Sequence, residues 1–217
     1  EFCVHGKARD DPHFRKKKDR EIGIPEISID YMWLKGKFPF TQEGEGQPIL
    51  IMRDRDTKFK KSIMMPQKGV EAYAVKTLTN ELSKVFGHAK LILASDQEPA
   101  ITTLLEAVCL ARPQARTVPE RSPVGDSRAN GLAERAVQSV EEMLRVHKLD
   151  LEKRLGRQLL VGHRAFAWLV EHVAEVLNKC VVGIDGKIAW MRVRGRSYNG
   201  AMLPFGTKVM PRVAGKV

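Results

Sequence analysis

The chain has 217 residues, 43% hydrophobic, 29% charged and 6% aromatic, with 37 Lys and Arg against 26 Asp and Glu for a formal charge of +11. That is enough chain to bury a core as one domain or at most two, and the absence of any run of roughly 18 uncharged apolar residues excludes a membrane-spanning helix. Cys3, Cys109 and Cys180 are odd in number and far apart, with no apolar leader before them, which argues against a disulfide scaffold and for a reducing, intracellular home.

The first residue is Glu1 rather than Met, as expected of a piece of a longer polypeptide. Residues 1–22 are polar and charged and read as a basic linker. After Pro25, the segment Ile27–Leu34 is β-branched or aromatic at nearly every position, the pattern of a strand buried on both faces. Pro48–Met52 predicts a second strand, Arg53–Thr57 a polar turn, and Phe59–Met65 a returning third strand. Apolar residues at Val70, Ala74, Leu78, Leu82 and Val85 recur at helical spacing, with Gly87 as the stop. Leu91–Ala94 is a short buried strand, and Ile101, Leu104, Leu105 and Val108 mark a helix opening near Pro99. A short strand at Arg116–Val118 and a loop at Pro119–Ser127 lead to a long helix, about Ala129–Leu155, with Leu132, Ala136, Val140 and Met143 as its core stripe. A last helix covers about Val161–Lys179, with Cys109 and Cys180 read as buried helical thiols. The order β-β-β-α-β-α-β-α-α predicts an α/β fold, a mixed sheet flanked by helices.

The positive charge is unevenly spread. Residues 1–20 carry +3, residues 21–179 only +2 and residues 180–217 +6. Removing residues 180–217 is therefore expected to weaken polyanion binding and flatten its salt dependence while leaving the chemistry of the near-neutral middle in place. In the last stretch Trp190, Arg192, Arg194, Arg196 and Tyr198 interleave basic and aromatic side chains, which suits phosphate contacts with stacking and also fits an exposed charged tail.

Three carboxylates stand where chemistry rather than propensity explains them best. Asp30 lies inside an apolar strand, where an unpaired charge is costly. Asp96 follows a buried strand, and Glu134 opens a long helix. Singly, each also fits an ordinary role: a strand-edge residue, a helix cap, a surface residue. Together they suggest oxygen ligands for two divalent cations, about 3.5–4 Å apart, that support an in-line phosphoryl displacement.

The strings Ile27-Ser28-Ile29-Asp30-Tyr31, Ala94-Ser95-Asp96-Gln97-Glu98-Pro99-Ala100 and Ser122–Ala136 resemble the catalytic core of retroviral and retrotransposon integrases, and the flanking segments Cys3–Arg9 and Trp190–Val209 resemble those of copia-like polyproteins. Between Asp96 and Glu134 lie 37 residues, slightly more than the family spacing, and the difference falls in a loop. The resemblance implies a ribonuclease H-like fold over residues 23–182 and a basic extension with a small β segment over 183–217. It implies Asp30, Asp96 and Glu134 as catalytic metal ligands for two Mg²⁺ or Mn²⁺ ions, and Arg128, Asn130, Arg135, Lys187, Arg192, Arg194 and Arg196 as DNA contacts. The segment Ser122–Asn130 resembles the family's active-site loop, while Gln138 and Glu141 replace lysines that many retroviral members carry after the glutamate.

Cys3, His5 and His13 look like the trailing edge of an upstream zinc module; one cysteine without a CxxC pair is too few for a structural site, so no zinc is expected here. The implied activity is 3′-end processing and strand transfer during DNA integration. The implied partners are the element's DNA ends, target DNA, further copies of the chain and the rest of a polyprotein, acting on chromosomal DNA in the nucleus. A catalytically decayed nucleic-acid-binding module and a ribonuclease H-type nuclease are the competing readings.

Overall fold

The computed structural model of the chain describes residues 23–33, 46–122 and 131–209. Among them, strands β1 (Glu26–Met32), β2 (Ile49–Asp54), β3 (Lys60–Met64), β4 (Lys90–Ser95) and β5 (Arg116–Arg121) form one sheet in the order β3-β2-β1-β4-β5. β1 pairs antiparallel with β2 and β2 with β3, whereas β4 runs parallel to β1 and β5 parallel to β4. Helices α1 (Ala72–Asn80), α2 (Pro99–Ala111), α3 (Gly131–Leu155), α4 (Arg164–Cys180) and α5 (Ala189–Arg194) cover the two faces. None of the described helices is long and apolar enough to cross a membrane.

The continuous apolar run of β1 and β2 is explained by burial on both sides. Ile27, Ile29 and Tyr31 join Leu50, Met52, Leu91 and Leu93 in a layer under α1 and α2. Met32, Ile49 and Ile51 point the other way, into a layer with Ala136, Val140 and Leu144 of α3 and Phe166, Val170 and Val173 of α4. Each fully buried Ile or Leu here contributes about 1.5–3 kcal/mol through lost apolar exposure. The sheet is thus the middle of three layers, and its central strand carries Asp30.

Several sequence expectations are displaced in the fold. The helix beginning at Ala72 widens into a π-helical turn over Glu81–Val85 before Gly87, whose φ of +71° ends it. The core stripe of α3 is Ala133, Ala136, Val140, Leu144 and Leu151, with Met143 only partly buried, because the helix is rotated slightly from the expected phase. Cys180 is exposed and Cys109 half-buried, since each sits on the flank of its helix rather than on the buried stripe.

Among the described residues the histidines serve structure: His163 caps α4 by accepting from the Ala165 N–H at 3.1 Å, and His88 Nε2 lies 3.1 Å from the buried Asp54 carboxylate. His147 and His172 meet edge to face, with His172 against Phe205.

The expected small β segment after residue 182 is absent among the described residues. Ahead of that stretch the chain forms α5, closed by Gly195 at φ +68° and preceded by a lone bridge between Val182 and Ile188. Ala189 is buried in the α1–α2 layer and Trp190 and Val193 pack against it. Side chains beyond residue 182 therefore contribute to that layer.

Candidate active site

Alternation along β1 decides where Asp30 points. Its neighbours Ile29 and Tyr31 face α1 and α2, so Ser28, Asp30 and Met32 share the α3 side. The parallel register pairs Ser28 with Ala94, and counting two residues onward on both strands reaches Asp30 and Asp96. The two aspartates therefore stand side by side at the carboxyl end of adjacent parallel strands, where side chains of α/β sheets meet ligands.

Backbone donors hold both carboxylates. Asp30 Oδ1 accepts from the Tyr31 N–H at 2.7 Å, and Asp96 Oδ1 accepts from the Glu98 N–H at 3.1 Å. The second bond closes a turn that leads into α2, whose first residue, Pro99, lacks the N–H a helix start leaves unpaired. Asp96 thus shapes the entry to α2 while its carboxylate stays half-buried beside Asp30.

Burial pushes the Asp30 carboxyl up to about 6, the nearby charges of Asp96 and Glu98 add to the rise, and the Tyr31 N–H and the Lys68 ammonium oppose it. An acid held this high among other acids is a site that a cation would relieve.

Glu134 lies in the first turn of α3 and is exposed. Arg53 of β2, opposite Ser28, anchors that turn by donating Nη1 to the Leu132 carbonyl at 3.0 Å. Burial and the neighbouring Arg135 push the Arg53 guanidinium down. Among the described residues no three His, Cys, Asp or Glu side chains are grouped at metal-binding spacing.

Asn130 and Arg128 lie outside the described residues, as do Cys3, His5 and His13. Arg135 is exposed on α3, and Gln138 donates to Glu142 at 3.1 Å. Lys187, Arg194 and Arg196 are exposed. Arg192 is bound instead to the protein itself: Nε to Asp185 at 3.1 Å, Nη1 to the Thr57 carbonyl at 3.1 Å and Nη2 to the Lys187 carbonyl at 2.9 Å. Two site neighbours carry no signal in the sequence. Glu98 is legible only by standing two residues beyond Asp96, and Lys68 is brought in by the β3–α1 connection.

No family model and no curated protein sequence matches the chain. Solved structures do. The catalytic core domain of BIV integrase aligns with a TM-score of 0.52 at 15% identity, over 77% of this chain and 92% of that one. The HTLV-2 integrase catalytic core domain in complex with magnesium, in its trimeric form, aligns with a TM-score of 0.52 at 14% identity, over 78% and 95%. A chain of the simian T-cell lymphotropic virus intasome in complex with PP2A regulatory subunit B56 gamma aligns with a TM-score of 0.58 at 13% identity, over 88% of this chain. This chain spans 60% of that one.

The fold is that of an integrase catalytic core. It is the ribonuclease H-like arrangement, with the mixed five-stranded sheet between helices. Within that core, the charged groups acting on Asp30 are the carboxylates of Asp96 and Glu98 and the Lys68 ammonium, and carboxylate oxygens are the donors that hard cations such as Mg²⁺ or Mn²⁺ favour. The acid raised to about 6 and its acidic neighbour Asp96 therefore fit a divalent ion.

Proposed function

We propose that the chain is the catalytic domain of a retrotransposon integrase, a divalent-metal-dependent polynucleotidyl transferase that hydrolyses near a DNA 3′ end and joins the freed hydroxyl to target DNA. The observation that supports this most is the pairing of Asp30 with Asp96 at the carboxyl end of β1 and β4, inside an integrase-core fold. In this reading Asp30, Asp96 and Glu134 hold the metal. When bound, such ions activate the attacking oxygen and stabilise the leaving one.

The chain's own contribution is orientation. The N–H groups of Tyr31 and Glu98 fix the two aspartates before substrate arrives, so little rearrangement remains for the reaction. Arg53 holds the first turn of α3 against β2 and thereby sets where Glu134 starts. DNA is the substrate class, and further copies of the chain are the expected partners. Integrase cores of this fold include a trimeric magnesium complex, and a related chain belongs to an intasome.

Strand transfer from a short DNA duplex, assayed with Mg²⁺ or Mn²⁺, tests the reading. Wild type should join strands, while Asp30→Asn, Asp96→Asn and Glu134→Gln should each lose at least about 100-fold, as removal of a group that acts on the transition state does. Equal activity in Glu134→Gln overturns the assignment.

One observation favours a second reading, a nucleic-acid-binding module without turnover: no three-carboxylate cluster closes among the described residues. DNA binding with no metal-dependent joining selects it, and cleavage of RNA–DNA hybrids selects a nuclease.

A further inference from the structure

Beside the two aspartates the fold assembles a second group of side chains with no role in holding a metal. Lys68, in the connection from β3 to α1, reaches Glu98 with Nζ 2.6 Å from Oε1. The same ammonium lies 5.3 Å from the centre of the Tyr31 ring and 5.6 Å from that of Trp33. Tyr31 in turn holds the connection by accepting from the Gly69 N–H at 3.3 Å. Gly69 has φ +89°, a conformation side chains resist, so the loop is built to project Lys68 over the two rings.

The side chains of Lys68 and Glu98 are 27% and 31% exposed. A solvated pair of this kind contributes little to stability, about 0–1 kcal/mol, and a phosphate is a stronger acceptor for the same ammonium. Trp33 is half-buried, and the Lys68 ammonium beside its ring is close enough to Asp30 for its charge to act on that carboxyl, so the group stands next to the carboxylates. The polar face of α3 is by contrast largely engaged with itself, through Gln138 with Glu142 and Arg145 with Glu141.

We propose that Lys68 and Trp33 form a nucleotide subsite next to the carboxylates, with Lys68 holding a backbone phosphate of a DNA strand, Trp33 stacking on the adjoining base and Glu98 occupying Lys68 until the strand arrives. This rests on the DNA-processing reading and extends it to where the strand lies. Tyr31 is the buried ring that keeps the ammonium in place. The cation is already ordered over aromatic faces, so less side-chain entropy is lost when phosphate binds.

Anisotropy of a labelled DNA duplex with a single-stranded 3′ end, titrated with the full chain over a range of salt with and without magnesium, tests the subsite. Lys68→Met should weaken binding about tenfold, the worth of one charge-assisted hydrogen bond, and reduce the salt slope by about 0.7–0.9, one released counterion. Trp33→Ala should weaken it by about tenfold, and Trp33→Phe, which preserves a stacking ring and the fold, should stay near wild type. Glu98→Gln should bind more tightly, and that gain should vanish in the Lys68→Met, Glu98→Gln double variant.

A merely structural ion pair predicts losses of the same sign from both single variants. Unchanged affinity and slope in Lys68→Met, or a gain from Glu98→Gln that survives without Lys68, overturns the subsite. Strand transfer by wild type alongside an unaffected Lys68→Met would discard the subsite and keep the functional reading. Absence of joining with these binding changes intact would discard the reading and support the subsite.

Discussion

Asp30 works against the stability of the strand that carries it. Its carboxyl titrates at about 6 in the fold against an ordinary 3.8, so between those values the folded chain binds more protons than the unfolded one. Stability therefore falls as pH rises through that window, with the cost absent below 3.8 and complete above 6. Asp30→Asn keeps the acceptor for the Tyr31 N–H and removes the charge. In metal-free buffer at pH 7 to 8 the variant should melt about 2–4 °C above wild type, the shift that roughly 1 kcal/mol gives a chain of this size once solvent screening is allowed for. The two melting curves should converge toward pH 4, and a pH-independent difference would show that burial of the charge is not the cause. This anomaly was legible in the sequence, because a carboxylate within Ile27–Leu34 breaks an apolar pattern. Lys68 and Glu98 were not, because nothing local distinguishes a lysine in a loop or a glutamate before a proline; only the fold brings the β3–α1 connection and the β4–α2 turn together beside Asp30.

At the scale of elements, the hydrophobic periods specified β1 to β4 and the first four helices to within a few residues, since each buries an unbroken stripe or face. What periodicity missed is α5, whose six residues are too few to show a helical repeat and which is held by Ala189 alone among fully buried side chains. It also missed how the open edge of the sheet is managed. β3 is an edge strand, and unpaired edge groups are costly when covered. Asn178 of α4, fully buried, completes the ladder: its Oδ1 accepts from the Lys60 N–H at 2.8 Å and its Nδ2 donates to the Lys60 carbonyl at 2.7 Å. Ser62 adds a hydroxyl bond to the Val170 carbonyl at 2.6 Å. Asn178→Ala leaves both Lys60 groups without those partners and should cost about 2–4 kcal/mol, read as a fall in the urea midpoint at constant m. Asn178→Asp, which presents a carboxylate oxygen to the Lys60 carbonyl, should not rescue it. A loss below about 0.5 kcal/mol would mean that water replaces the side chain at this edge.

For the whole molecule, the charge partition of the sequence, +3, +2 and +6, suggested a near-neutral core with a detachable basic arm. The fold divides the arm differently. Arg192 joins Asp185 and the Lys187 carbonyl to the Thr57 carbonyl in the β2–β3 turn, and Ala189 fills the α1–α2 layer, so deleting residues 180–217 would remove core as well as charge. Sequence alone cannot separate a cation bound internally from one facing solvent, because both are arginines in a basic run. Substitution can. Replacing Lys187, Arg194 and Arg196 together by alanine should weaken DNA binding and lower the slope of log K against log salt by up to about 2.7, or about 0.9 for each phosphate no longer neutralised, with little change in melting temperature. Arg192→Ala should do the reverse, lowering the melting temperature while changing the slope by less than a single phosphate would, since its guanidinium is already committed to protein oxygens. Binding isotherms taken between about 50 and 200 mM salt resolve slopes of this size. A triple variant that keeps the wild-type slope would move the polyanion-binding surface off this segment and onto the sheet's carboxyl end, where Lys68 stands.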